Sequence, residues 1–366
     1  MKLRYKILSG LFALLALAVA VLAIVIGYTA DCESGTPAVA SGDRMNAIVY
    51  RCYGSPDVLA LEEIEKPSPA DTEILVRVKA AAVNPLDWHY MRGSPYFMRL
   101  GTGIGSPKDI RIGVDFAGNV EAVGDKVTQY KVGDEVFGGH AGAFAEYVLV
   151  DEGRAITHIP EDVSFEQAAS LPIAALTALQ ALQDHGELQP GQKVLINGAS
   201  GGVGTFAVQI AKSMGAEVHG VCSTRNVELV QSLGADRVWD YKKENYTESD
   251  EEYDLIVDMV GNHSLSRNRE VLGPNGKLVI VGGPSGNWIG PLKRPIAVML
   301  TNPFVDQQQI VLLARLRNKD MAEVARLVQT GDVKPVIDRR FPLADVADAI
   351  RYSEEGRARG KIMITF

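Results

Sequence analysis

Apolar and polar positions follow three different patterns along the chain. In the first stretch they do not alternate at all. Ile7 to Tyr28 carries no charge, is built almost wholly from Leu, Ala, Val and Ile, and has no polar face. Such a run exceeds the roughly 20 residues a helix needs to cross a bilayer core, so it predicts a single membrane-spanning anchor within residues 1–30. Lys2, Arg4 and Lys6 precede the run, and Asp31 and Glu33 follow it. A cleaved leader is the rival reading, although its small-residue site, Ala38-Val39-Ala40, stands far beyond the apolar stretch. Residues 31–43, rich in Ser, Gly, Thr and Ala, then read as a linker.

The second pattern is short and β-like. Val- and Ala-rich runs punctuated by Gly and Pro fall at Asn46–Tyr50, Leu59–Ile64, Glu73–Ala82, Val114–Val123, Glu135–Phe137 and Ala145–Leu149. They predict the strands of a small barrel or sandwich. From Glu166 the period becomes helical over Gln167–Asp184, and strands and helices then alternate at βαβ spacing. The expected strands are Val194–Asn197, Glu217–Cys222, Arg237–Tyr241, Asp254–Val260 and Lys277–Gly282. The unbroken apolar run Val194-Leu195-Ile196 suits a parallel sheet buried on both faces. Helices over Met321–Gln329 and Leu343–Glu355 flank two more strands, Val336–Phe341 and Lys361–Phe366.

One of these strand-to-helix junctions carries chemistry. Val194–Asn197 runs into Gly198-Ala199-Ser200-Gly201-Gly202-Val203-Gly204, and Val203, Ala207, Ile210, Ala211 and Met214 then mark one face of a helix. The glycines suit a tight turn, a backbone that can approach a pyrophosphate at Gly201, and close helix packing at Gly204. Ala199 stands where the G-x-G-x-x-G pattern has its first glycine, so this is a variant of the dinucleotide loop. At the end of the next strand, Val221-Cys222-Ser223-Thr224-Arg225 offers hydroxyls and a guanidinium but no carboxylate. An acid there would bind the ribose of NAD, whereas Ser223 and Arg225 suit the 2′-phosphate of NADP. A solvated Arg225 at a helix start is the plainer alternative.

Composition narrows the class. The chain of 366 residues suggests two domains, and 46% hydrophobic with 22% charged residues excludes a disordered or polytopic membrane protein. A net charge of −8 argues against a nucleic-acid partner. Cys32, Cys52 and Cys222 are odd in number and far apart, so neither a disulfide framework nor a metal knuckle is expected, and a reducing compartment is favoured.

The set of motifs resembles a known family, the zinc-free medium-chain dehydrogenase/reductases of the quinone oxidoreductase-like branch. It rests on Ala81-Ala82-Val83-Asn84-Pro85-Leu86-Asp87, Gly113–Gly118, Gly133–Gly138, Gly142–Tyr147, Leu171–Ala178 and Ala199–Gly204, in family order over Met45–Phe366. The resemblance implies an α/β fold: a GroES-like, partly open β-barrel and a Rossmann doubly wound parallel sheet, following the N-terminal transmembrane helix. It divides the chain into a catalytic domain at 44–166, an NADP-binding domain at 167–316 and a C-terminal return at 317–366. Asn84–Asp87 occupies the segment where zinc-dependent relatives carry a catalytic cysteine, and Asp115 replaces their Gly-His-Glu motif, so no metal is expected.

The implied reaction is hydride transfer from NADPH to a small apolar electrophile, a quinone or an α,β-unsaturated carbonyl. A zinc-free NADP-dependent alcohol or aldehyde dehydrogenase, or a non-catalytic NADPH-binding scaffold, are the alternatives. Ser200, Gly201, Gly202, Val203 and Gly204 would hold the cofactor phosphates, with Thr177, Tyr241, Gly261 and Gly282 lining the cofactor by family position. Tyr241 would also reach the 2′-phosphate beside Arg225. Asn84 would lie near the nicotinamide, or else be a turn residue before Pro85. Tyr96 follows Arg92-Gly93 where enoyl reductases carry a proton-donating tyrosine, but the spacing differs by one residue. Packing with Tyr90 and Phe97 is its other reading. Trp88, Tyr90, Tyr96 and Trp288 suggest a flat apolar ligand. A homodimer is among the assemblies the family allows. The basic residues before the apolar run would send the enzyme across the membrane, whereas NADPH lies mainly in the cytoplasm, so the side stays open.

Overall fold

The structure, a computed structural model, describes residues 2–32, 42–284, 286–288 and 290–366, with side chains from Phe12 onward apart from Leu15. Most of the expected linker, and Ala38-Val39-Ala40 with it, lies outside the described residues.

The first domain is antiparallel. Strands β1 (Arg44–Val49) and β2 (Ala60–Glu65) pair with each other. Strands β3 (Glu73–Val83), β4 (Asp115–Val123), β5 (Glu135–Gly139), β6 (Tyr147–Asp151) and β7 (Ile156–His158) build the larger sheet, with β6 added along β3. The sequence of β3 explains its place. Arg77 and Lys79 alternate with buried Val76 and Val78 in its first half, whereas Ala80-Ala81-Ala82-Val83 is buried throughout. Ala80 and Ala82 join the core shared with Ala168, Ala169 and Leu171, and Ala81 and Val83 join the barrel core. Small side chains are needed on one face because a helix packs directly against it.

The second domain contains a six-stranded parallel sheet: β8 (Lys193–Asn197), β9 (Glu217–Cys222), β10 (Arg237–Asp240), β11 (Tyr253–Asp258), β12 (Leu272–Ile280) and β13 (Gln308–Val311). The spatial order β10-β9-β8-β11-β12-β13 is that of a doubly wound fold, whose order reverses between β8 and β11. Val194 and Ile196 enter one core and Leu195 the other, as a strand covered on both faces requires. The chain then returns. Strands β14 (Ile337–Pro342) and β15 (Lys361–Thr365) complete the barrel sheet, β15 running antiparallel to β3 with Ile362 opposite Val83.

Local chemistry explains where the elements differ from the periodicity. The expected helix Gln167–Asp184 is two helices, Phe165–Ala169 and Pro172–Gln180, followed by a wider turn at Ala181–His185. Pro172 has no N–H to continue the first helix but suits the start of the second. A helix at Pro85–Arg92 was not foreseen, although Asn84 before Pro85 and Gly93 after Arg92 (φ +54°) are proper end signals.

Two expectations are overturned at the amino terminus. Among the described residues no helix is long and apolar enough to cross a membrane, which removes the anchor over Ile7–Tyr28 and the membrane localisation built on it. The helix Lys2–Gly27 does form. Its last turn is also committed elsewhere, since Ile26 is buried and Arg99 of the first domain donates to the carbonyls of Ile26, Gly27 and Tyr28. The cysteine reading changes as well. Cys32 and Cys52 form a disulfide with their Cα atoms 5.0 Å apart, and Cys222 alone is a free, buried thiol.

The glycine loop offers a stability test. A β-carbon on Gly204 would collide with the Gly198 carbonyl oxygen, whereas one on Gly202 would meet only ordinary contacts at 3.6 Å. Gly204→Ala should therefore lose about 1–3 kcal/mol in urea unfolding through overpacking. Gly202→Ala should stay within about 1 kcal/mol of the native protein. Equal losses would refute close helix packing at Gly204.

Candidate active site

The carboxyl ends of the parallel strands meet the barrel in a crevice, and the sheet's order reversal marks its centre. The loop there is shaped by its backbone. Gly198 adopts φ +95°, and the N–H groups of Gly198 and Ala199 donate to Val221 O at 3.2 and 3.0 Å, tying the loop to β9. The helix Gly202–Ser213 starts at once, leaving first-turn N–H groups without partners in the helix. A β-carbon on Gly201 would meet only Gly198 O at 3.5 Å, and one on Gly202 only Gly360 O and the Lys361 side chain. The loop thus presents bare amides at a helix start, a cradle that fits a dinucleotide pyrophosphate. Ser200 turns aside: its Oγ accepts from Asn226 Nδ2 at 2.8 Å and its carbonyl accepts from Gly360 N at 3.1 Å.

At one end of the loop, Ser223 and Arg225 follow β9 and Tyr241 follows the neighbouring strand β10. Strands β9 and β10 end side by side with Cys222 opposite Asp240, and Tyr241 N donates to Cys222 O at 3.1 Å. Arg225 is exposed and donates to Arg357 O at 2.6 Å, and the Tyr241 ring is also exposed. The carboxylate at the end of the neighbouring strand, Asp240, is buried. It accepts from Thr224 Oγ1 at 2.7 Å and Lys242 N at 3.1 Å, so its oxygens are engaged by the protein.

At the order reversal, Asn197 and Asp258 face each other at the ends of β8 and β11. Asn197 Nδ2 donates to Asp258 Oδ1 at 2.9 Å, which also accepts from Gly261 N at 2.8 Å. Arg294, on the helix Lys293–Thr301, donates to Asp258 Oδ2 at 2.7 Å, and both residues are buried. This pair was not read from the sequence; an arginine so far downstream leaves no local signal. Gly261 adopts φ +72°, and a β-carbon there would strike Arg294 and Gly283. Gly282 lies against the Met259 carbonyl. Thr177 is buried and donates its hydroxyl to Ile173 O at 2.6 Å, within its own helix.

Across the crevice stands a cluster that sequence reasoning largely missed. Asn84 caps the helix Pro85–Arg92 and is buried. Its Oδ1 accepts from Lys361 Nζ at 2.6 Å, and its Nδ2 donates to Ala82 O at 3.3 Å. Lys361 also lies 3.4 Å from Asp115 Oδ2. Asp115 Oδ1 accepts from Ile173 N at 3.2 Å, in the first turn of the helix Pro172–Gln180. Only a lysine at the head of an apolar strand hinted at this in the sequence. Tyr96 belongs to a different neighbourhood, where its hydroxyl meets Asn287 Nδ2 at 3.3 Å. Trp88 packs on the barrel core.

Two carboxylates against one ammonium leave the cluster short of positive charge. Burial pushes Asp115 above the usual carboxylate range, with Lys361 partly offsetting it. Burial pushes Asp87 up to about 8, opposed by the hydrogen bond from Asn84 N and reinforced by Asp115. Folded Asp87 therefore holds a proton that the unfolded carboxyl loses near its ordinary value of 3.8. Its contribution to stability is complete below that value and is lost as pH rises through about 8. Calorimetry should find the native Tm falling between pH 5 and 8, and Asp87→Asn should flatten the fall. An unchanged slope in the variant would contradict a protonated Asp87.

Comparisons with known proteins agree with this geometry. A family model described as alcohol dehydrogenase GroES-like domain matches residues 70–161, and one described as zinc-binding dehydrogenase matches residues 233–364. Among the described residues no group of three or more His, Cys, Asp or Glu is placed to hold a metal ion. The chloroplast envelope quinone oxidoreductase homolog of Arabidopsis thaliana is 34% identical over 344 residues, covering 88% of this chain and 99% of that protein. The chloroplastic NADPH-dependent alkenal/one oxidoreductase of the same plant is 32% identical over 339 residues, covering 88% and 79%. The structure of the quinone oxidoreductase from Coxiella burnetii superposes with a TM-score of 0.78 at 30% identity, over 88% of this chain and 100% of that one. Relatedness of this extent places the chain in the zinc-free, quinone oxidoreductase-like branch of the medium-chain dehydrogenase/reductases, as an oxidoreductase that works with a nicotinamide cofactor.

Proposed function

We propose that the protein is an NADPH-dependent reductase of quinones or α,β-unsaturated carbonyls. The observation that carries the choice of cofactor is the placement of Ser223, Arg225 and Tyr241 just past the ends of the adjacent strands β9 and β10, while Asp240 is engaged by Thr224. A guanidinium and two hydroxyls suit a 2′-phosphate, and among the described residues Asp240, the carboxylate at these strand ends, is already engaged rather than free for a ribose diol. The names of the relatives, quinone oxidoreductase and alkenal/one oxidoreductase, support the substrate class. NADPH, when bound, supplies the hydride.

The chain's own residues bind and orient. The first-turn amides from Gly202 would hold the pyrophosphate, and Gly261 and Gly282 would let the cofactor lie close to the sheet. Lys361 takes the Asn84 carbonyl oxygen, so the amide nitrogen is the side of Asn84 left to donate. One of its two hydrogens goes to Ala82 O, and the other would orient the substrate carbonyl or the cofactor ribose. Tyr96 keeps its own hydrogen, since its hydroxyl meets an amide donor at Asn287, but its neighbourhood is not that of Asn84.

Arg225 tests the cofactor choice. A hydrogen bond to a charged group contributes roughly 1.5–3 kcal/mol, or about ten- to a hundredfold in affinity. Arg225 is exposed, so screening should hold Arg225→Ala near a tenfold rise in the NADPH dissociation constant, with NADH little changed. Equal weakening toward both would make Arg225 a support of the loop. The purified protein should also oxidise NADPH when a benzoquinone or an enone is added and show no NADP⁺ reduction with primary alcohols. The reverse profile would overturn the substrate class.

A further inference from the structure

Asn226 stands between the glycine loop and the Ser223–Arg225 turn. It follows Arg225 directly, and its backbone N–H donates to Ser223 O at 2.8 Å. Its side chain reaches the loop, where Nδ2 donates to Ser200 Oγ at 2.8 Å. One amide therefore spans from the turn after β9 to the loop after β8.

The residue gives up a local role to do so. Asn226 occupies the N-cap of the short helix Val227–Ser232, where an asparagine oxygen ordinarily accepts from a first-turn N–H. Ser164 and Ser264 accept such bonds at their own helices, but the Asn226 side chain makes none. Asn226 is 5% exposed, and its Oδ1 has no hydrogen-bond partner among the described residues. The other buried side-chain atoms in that condition, Asp87 Oδ1 and Trp88 Nε1, belong to the barrel domain. A buried acceptor without a donor is costly, so its persistence in a fold calls for a reason.

An amide oxygen only accepts, so its partner must carry a hydrogen. The pyrophosphate and the 2′-phosphate of NADPH offer acceptor oxygens. The adenosine ribose that joins them offers one donor, the 3′-hydroxyl, on the carbon beside the one that bears the 2′-phosphate. We propose that Asn226 is a cofactor-binding residue whose Oδ1 accepts a hydrogen bond from that 3′-hydroxyl. Consecutive residues, Arg225 and Asn226, then read adjacent positions of one sugar. Where NAD enzymes place a carboxylate on the ribose hydroxyls, a neutral amide serves without repelling the 2′-phosphate. This rests on the reading that puts the 2′-phosphate at Arg225.

The test measures binding to the full chain by calorimetry, without turnover, using 2′,5′-ADP and its 3′-deoxy analogue. The native protein should bind 2′,5′-ADP about fivefold more tightly, the scale of one neutral hydrogen bond. In Asn226→Leu the two probes should bind alike. Asn226→Asp keeps an acceptor, and the Ser200 hydroxyl can donate to it, so this variant guards against a Leu variant that does not fold. It should keep the preference for the 3′-hydroxyl, while its charge shifts the balance of NADPH against NADH binding about tenfold toward NADH. A preference that persists in Asn226→Leu overturns the proposal, as does its absence from the native protein while Arg225→Ala still weakens 2′,5′-ADP; in both cases the cofactor reading survives. Loss of the preference from the Leu and Asp variants alike would make Asn226 a brace of the glycine loop and also overturns it. If Arg225→Ala leaves 2′,5′-ADP binding unchanged while the preference still vanishes in Asn226→Leu, the 2′-phosphate reading fails and the ribose contact stands.

Discussion

The crevice depends on where one buried ammonium lies. Lys361 opens the last strand immediately after Gly360, whose N–H is held by Ser200 of the glycine loop. It binds Asn84 and faces Asp115, so Gly360 and Lys361 together join the glycine loop, the barrel and, through Asp115, the start of the Pro172–Gln180 helix. Burying a cation costs several kcal/mol unless it is paired and hydrogen-bonded, and losing one partner of such a pair typically costs about 3–5 kcal/mol. The position of Lys361 along β15 is therefore strongly specified. With it come the register of Ile362 on Val83 and the orientation of the Asn84 amide.

The second buried pair does similar work inside one domain. Asp258 and Arg294 sit at the order reversal of the parallel sheet, where the two halves of the fold diverge and leave a gap. The carboxylate gathers Asn197, Gly261 and Arg294 around itself. Loops that would otherwise be independent are thereby fixed relative to each other, and an active site needs such rigidity in the residues that support it.

Much of this was legible in the sequence because it is local. Strand and helix periods, the glycine loop, and the Ser223–Arg225 turn beside Tyr241 depend on residues close in the chain. What escaped notice is distant. Lys361 and Asn84 are 277 positions apart, and no periodicity encodes such a pairing. Asn84 shows how a turn reading and a site reading can coexist, since the side chain that precedes Pro85 at the helix start also meets Lys361. Hydropathy read the amino-terminal run as an anchor, whereas among the described residues no helix is long and apolar enough to cross a membrane. Cys32 and Cys52 looked unrelated. Their approach follows from the segment that Gly105 and Arg99 hold, and spacing alone gave no sign of it.

The pairing of β15 with β3 has a consequence for how the protein is made. Residues Ala80–Val83 offer one edge to the final strand of the chain, and until that strand is synthesised the edge of the nascent barrel stays open. The doubly wound domain lies wholly between the two partners, so a ribosome must deliver the entire second domain before the first can close. Contacts of such long sequence separation form slowly, and an apolar edge left open meanwhile is a template for intermolecular pairing. Truncation near the carboxyl terminus would strand the barrel in that state, exposed to misassembly.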